Sequence, residues 1–212
     1  MTIDRLKDAL IVVDLQPDFM PGGPLAVAEG DRIAEPIGRL ARRFDVVVAT
    51  QDYHPAGHIS FASSHRGRAP FEVMELYGAQ QVLWPDHCVQ GTRGAVLHPA
   101  LPDEKITLIL RKGIHPELDS YSGFRENLGP DGRRPSTGLA GWLKGRGVTR
   151  IFVVGLARDF CVKFTALDGA TEGFESIVVD DLTRAVAPEK HAETDAELAR
   201  AGVKRVMSDA IG

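Results

Sequence analysis

The chain has 212 residues, 43% of them hydrophobic and 25% charged; this fits one ordinary globular domain, able to bury about 70% of its extended surface without disulfides or a structural metal. Its formal net charge of -4, with 25 Lys plus Arg against 29 Asp plus Glu, excludes a general attraction to nucleic acid or anionic lipid. Two cysteines, Cys88 and Cys161, argue against a secreted disulfide framework, MTIDRLKDALIVVDL lacks signal-peptide order, and no apolar run is long enough to span a bilayer. A soluble, cytoplasmic protein with no membrane partner is expected.

The first strand is predicted at Ala9 to Val13 (ALIVV), and helical spacing of Ile33, Ile37, Leu40 and Ala41 follows it. Val46 to Thr50 (VVVAT) reads as the second strand. Gln51 to Asp103 is long, irregular and rich in His, Gly and Pro, which inside a compact domain marks a functional segment. The third strand is Ile106 to Leu110, and a second irregular stretch runs from Gly113 to Pro135. Leu139, Trp142 and Leu143 predict a helix that Thr137 can cap, and Arg150 to Val154 (RIFVV) a fourth strand. Cys161 to Gly173 is helical, Ser176 to Val179 a fifth strand, and Pro188 to Gly202 a helix with Pro in its first turn and Gly at its end. Lys204 to Met207 is the sixth strand. Short apolar strands alternating with helices predict one α/β domain over residues 1–212, a three-layer α-β-α doubly wound fold with a mainly parallel six-stranded sheet.

In such sheets ligands bind outside the carboxyl ends of the strands, so polar residues just past each strand carry the functional signal. Asp14 ends ALIVVD, Asp52 follows VVVAT, Lys112 follows ITLIL, and Cys161 lies beyond RIFVV in GLARDFCV. Singly, each has a plainer reading: a solvated carboxylate, a surface cation, a buried small hydrophobe. Together they are what thiol chemistry needs, namely a nucleophile, a proton acceptor and a positive charge that favours thiolate. A helix N-terminus at Cys161 would add to that charge.

Asp52 and His54 flank one residue, so an extended backbone puts both on one face, and His87 can close a three-ligand site from a later loop. Three protein ligands leave the open positions of a catalytic or substrate-binding metal, and the mixed N and O donors admit Zn, Fe or Mn. The plainer reading is that these histidines are exposed or hydrogen-bonded.

These motifs give the chain a wider resemblance. DLQPDF, QDYHPAGHISF, WPDHCVQGT, RKG, YSGF and GLARDFCV, spread from Asp14 to Val162, resemble the isochorismatase-like cysteine hydrolases and, within them, the nicotinamidases, also called pyrazinamidases. The resemblance implies an amidohydrolase that converts nicotinamide, and also pyrazinamide, to the acid and ammonia through a cysteine thioester, in NAD salvage. It implies Cys161 as nucleophile, Asp14 as proton carrier and Lys112 as the orienting charge. Amides of Ala157 and Cys161 would form the oxyanion hole, with a cis bond at Leu156–Ala157. Asp52, His54 and His87 match the metal ligands, with zinc the foremost ion, and Phe19, Trp84 and Tyr121 match the aromatic walls. His58 and Ser60 fall outside the first set of ligands, and GIHPELDSYSGF, from Gly113 to Phe124, is longer and more charged than in some relatives.

Two other readings stand beside this one. Another hydrolase of the same fold, acting on a carbamoyl compound or a vinyl ether, would be expected to lack the full metal set. A silent α/β binding module would have no use for Asp14, Lys112 and Cys161 together. Subunit number is left open, a homo-oligomer included.

Overall fold

A computed structural model describes all residues, Met1–Gly212. The main-sheet strands are β1 (Asp8–Val13), β2 (Val46–Asp52), β5 (Leu108–Lys112), β6 (Arg150–Leu156), β7 (Glu175–Arg184) and β8 (Lys204–Val206). A separate antiparallel hairpin pairs β3 (Val73–Leu76) with β4 (Ala79–Val82). The helices are α1 (Ala34–Ala41), α2 (Leu139–Gly145), α3 (Lys163–Thr171) and α4 (His191–Arg200). No helix is long and apolar enough to cross a membrane.

All pairings in the six-stranded sheet are parallel, in the order β5-β2-β1-β6-β7-β8. Alternation along β1 shows why the sheet is covered twice. Leu10 and Val12 point into a core shared with Ile37, Leu40 and Ala41 of α1, while Ala9, Ile11 and Val13 point into one shared with Leu139 and Leu143 of α2, Ala166 of α3 and Leu198 of α4. The result is the expected three-layer α-β-α arrangement.

The structure moves several expected boundaries. β5 begins at Leu108 and runs through Arg111 and Lys112, two polar residues that hide the end of the strand from an apolar pattern. Gln51 to Asp103 is not wholly irregular, because Tyr77 and Gly78, with φ of 54° and 84°, turn the β3–β4 hairpin inside it. β7 continues to Arg184, and the helix expected from Cys161 starts with a π-type turn at Arg158–Val162 that leads into α3. Thr137 sits one residue before the Gly138 cap of α2, yet its Oγ1 still accepts the Leu139 N–H at 3.3 Å.

Candidate active site

Reading the strands of the sheet by their order in the chain gives 3-2-1-4-5-6, so the winding reverses between β1 and β6. At that crevice Gly155 has a φ of +108°, and a Cβ there would lie 2.1 Å from the Val13 carbonyl oxygen; only glycine lets the two strands close up. Asp14 leaves β1 at this point with a φ of 45°. Asp52 and Lys112 are register partners at the ends of β2 and β5, and the turn after β6 brings Cys161 over the same rim.

The structure brings Asp14, Lys112 and Cys161 together. Lys112 Nζ lies 2.8 Å from Asp14 Oδ2 and 3.5 Å from Cys161 Sγ, and it also donates to the Ser120 carbonyl at 3.0 Å and to Asp52 Oδ1. Asp14 and Lys112 are both fully buried. Burial would strip the proton from Lys112, but Asp14 and Asp52 hold its pKa well above the ordinary lysine value. Burial pushes Asp14 up to about 6, against the pull of Lys112. Burial also pushes the Cys161 thiol well up; Lys112 pulls against that rise, and the Asp14 and Asp52 carboxylates add to it. With its pKa raised, the Cys161 sulfur needs a base to take its proton as it attacks, which the expected set of thiol, proton acceptor and positive charge provides.

Asp52 joins this cluster to the next. Its Oδ1 meets Lys112, while its Oδ2 lies 3.7 Å from both His54 Nε2 and His87 Nε2. His54 Nδ1 pairs with the Gly113 carbonyl at 3.0 Å and His87 Nδ1 with that of Pro85 at 2.8 Å, so each Nδ1 carries the proton and each Nε2 lone pair faces Asp52. Gly113 is required, since a Cβ would stand 2.3 Å from the His54 ring. The donors lie within 4.8 Å of one another, and without a cation Asp52 raises the pKa of His54 against the effect of burial. An oxygen and two imidazole donors around a point that attracts positive charge fit a divalent ion. His58 is bonded instead to Ser60 Oγ at 2.8 Å and to the Leu118 carbonyl at 3.2 Å, and burial with neighbouring His54 takes its pKa down to about 4.

Both clusters open into one small cavity. Phe19, Trp84, Tyr121 and Phe160 supply flat apolar walls, and Asp52, His54, His87, Ala157 and Cys161 line the rest with Leu25, Val186, Asp119 and Ser120. Trp84 stands edge-on to Phe160 and Tyr121 at 4.8 and 6.2 Å between centroids, leaving a slot suited to a planar ring. The Leu156–Ala157 bond is cis. The Ala157 N–H has no partner within the protein, and the Ala157 carbonyl accepts from Phe160 and Val162 while passing over Cys161. Ala157 and Cys161 both line the cavity.

An isochorismatase domain model matches residues 8–210. The chain belongs to the isochorismatase family. It is 49% identical over 203 residues to a nicotinamidase of Acinetobacter baylyi, covering 94% of this chain and 92% of that one. Among solved structures it is similar to PnC1 of L. infantum in complex with nicotinate, with a TM-score of 0.87 at 40% identity over 100% of this chain and 98% of that one. A pyrazinamidase of Pyrococcus horikoshii in complex with zinc gives 0.76 at 37% identity, over 95% and 99%.

Around this isochorismatase site the structure adds residues that strand-end reasoning passed over. Thr50 Oγ1 donates to Asp14 Oδ1 at 2.6 Å and accepts the Asp14 N–H at 3.2 Å, so it sets the direction of that carboxylate. Gln16 brackets Asp52, accepting its N–H and donating to its carbonyl, both at 2.8 Å. Asp119 enters the wall because Gln81, on β4, donates to its Oδ2 at 2.6 Å. Gln16 was visible inside DLQPDF, but nothing in sequence spacing pairs Gln81 with Asp119.

Proposed function

We propose that this isochorismatase-family protein is a nicotinamidase, a cysteine-dependent amidohydrolase that converts nicotinamide to nicotinate and ammonia, accepts pyrazinamide, and serves NAD salvage. The observation that carries the reading is the buried Asp14–Lys112–Cys161 cluster facing, across an aromatic slot, a second donor set at Asp52, His54 and His87. One end of that cavity performs acyl chemistry and the other anchors a ring. The names of the relatives give the same activity.

Asp14 takes the Cys161 proton as sulfur attacks the amide carbon, since burial has raised its pKa into the range where a carboxylate can both accept and return a proton. The Ala157 and Cys161 amides receive the developing oxyanion, each such donor contributing about 2.7–4 kcal/mol. Protonated Asp14 gives its proton to the leaving nitrogen, because free amide anion is too basic to depart. Ammonia leaves a thioester, and a water deprotonated by Asp14 then releases the acid. Lys112 keeps Asp14 and the sulfur in register and balances their charge. Phe19, Trp84 and Tyr121 hold the ring flat. A divalent ion, which we take to be zinc, would be held by Asp52, His54 and His87 and supplies a Lewis-acid partner for the ring nitrogen. A reducing cytoplasm suits the reaction, since the nucleophile must stay a thiol.

Ammonia release from nicotinamide tests the reading directly. Robust turnover is expected, with a large rise in KM after chelation that added zinc reverses; no ammonia from the metal-loaded protein refutes the substrate. The kcat/KM profile should show a rising limb near pH 6, above the ordinary carboxylate range, as Asp14 ionises to become the base. A limb near pH 4, or one unchanged in Asp14→Asn, removes Asp14 from that role.

A further inference from the structure

Arg158 follows Ala157 and opens the Arg158–Val162 turn that carries Cys161. It does not line the substrate cavity, yet it is only 3% exposed. Its guanidinium sits in a ring of alternating charge. Nη1 is 2.9 Å from Asp180 Oδ1 on β7, and Nη2 is 2.7 Å from Asp195 Oδ1 on α4. The other oxygens of those carboxylates meet Arg205 on β8, at 2.8 and 2.7 Å. Nη1 also donates to Thr183 Oγ1 at 2.9 Å. The next residue anchors the turn in another direction, for Asp159 accepts the Val186 and Ala187 N–H groups at 3.0 and 2.8 Å.

We propose that Arg158 is a positioning residue for the amide hydrolysis. With Asp180, Asp195 and Arg205 it locks the Cys161 turn from behind, so that the Ala157 and Cys161 amides stand where the oxyanion develops. A planar guanidinium shared between two carboxylates sets direction as well as distance, which a surface ion pair or a single lysine cannot do. Oxyanion stabilisation depends on donors fixed in advance, and a displacement of about 1 Å costs on the order of 10²-fold in rate. Ground-state binding uses Phe19, Trp84, Tyr121 and the Asp52 cluster, none of which touches the ring of charges. The effect of loosening the ring therefore falls on kcat.

The inference rests on the nicotinamidase reading, so the wild-type ammonia assay comes first; an inactive wild type refutes that reading and the positioning role with it, whereas the variants below test the role alone. With an active wild type, Arg158→Met keeps the stem but loses the fork, and kcat should fall by about 30- to 100-fold. KM should stay within about threefold, and Arg158→Lys should recover part of kcat. Nicotinaldehyde supplies a readout that a general loss of folded protein would not move. Its C–S bond to Cys161 forms as the carbonyl π bond breaks, the thiol proton passes to Asp14, and the tetrahedral oxygen lies on the same two amides. Its inhibition constant should rise by the factor by which kcat falls, while that of nicotinate stays fixed. Asp195→Asn weakens the ring from α4 and should show a smaller change of the same kind, which decides the matter if Arg158→Met does not fold. Full kcat in a folded Arg158→Met, an unmoved aldehyde constant, or an unaffected Asp195→Asn beside an unfolded Arg158→Met overturns the proposal.

Discussion

Cys161→Ala is expected to lower kcat for nicotinamide by about 10⁴-fold or more while nicotinamide binding survives. The sulfur is the strongest nucleophile among the groups that line the cavity. Asp14 is held by Lys112 and Thr50, and without the thiol it has no proton to take and no nucleophile to release. Binding persists because the aromatic walls and the Asp52, His54 and His87 donors do not include the thiol. Folding persists as well, since a buried cysteine replaced by alanine loses one heavy atom beside an existing cavity. Ammonia release and calorimetric titration on the same preparation give the two halves of the test. Near-normal ammonia release would remove the nucleophile and leave direct attack by water as the route.

The parallel sheet was readable because both its faces are buried, so that each strand appears as an apolar run; this holds for ALIVV, VVVAT and RIFVV, which fall within β1, β2 and β6. β5 was misplaced by two residues for a functional reason. Lys112 occupies a core position because Asp14 and Asp52 pair with it there, and a charged residue inside a strand breaks the apolar pattern. The hairpin escaped notice because VMELYGAQQV has no steady alternation, and only Tyr77-Gly78 marks its turn. The polar strand-end residues were legible, since an open parallel sheet leaves few other places for chemistry. Residues that act by contact across the chain were not. Gln81 meets Asp119 across 38 positions, and Thr50 meets Asp14 across 36.

The shared carboxylate has a consequence for how the two halves of the site work together. Asp52 uses one oxygen for Lys112 and turns the other toward the histidines, so charge placed at the histidine end is felt at the lysine end within one side chain. Burial alone would raise the pKa of Asp52, yet Lys112 and His54 hold it well below the ordinary carboxylate range. Asp52 therefore stays ionised across the working pH, which leaves Asp14 as the one carboxylate of the pair free to carry a proton.

Lys112→Met should abolish turnover and also destabilise the fold. The ammonium is fully buried with Asp14 and Asp52 as its partners, and removing one member of such a group leaves the others unpaired in low dielectric. A loss of about 3–5 kcal/mol is expected. For a chain of this size that is a fall in Tm on the order of 10 °C. The loss should depend on pH with a definite sign. Lys112 pulls the Asp14 pKa down from where burial would put it, so the variant's Asp14 titrates above about 6, against an ordinary 3.8. A folded-state pKa above the unfolded one means the native protein binds the proton more tightly. The neutral acid is tolerated in the buried site, and wild type shares the rise up to about 6, so the variant's deficit is level below about pH 6 and grows from there as pH rises toward the variant's own folded-state value. Thermal melts of wild type and variant between pH 5 and 8 should diverge toward the alkaline end. A constant difference in Tm across that range would mean that Lys112 contributes packing alone, and that its charge is not what holds Asp14 and Cys161 together.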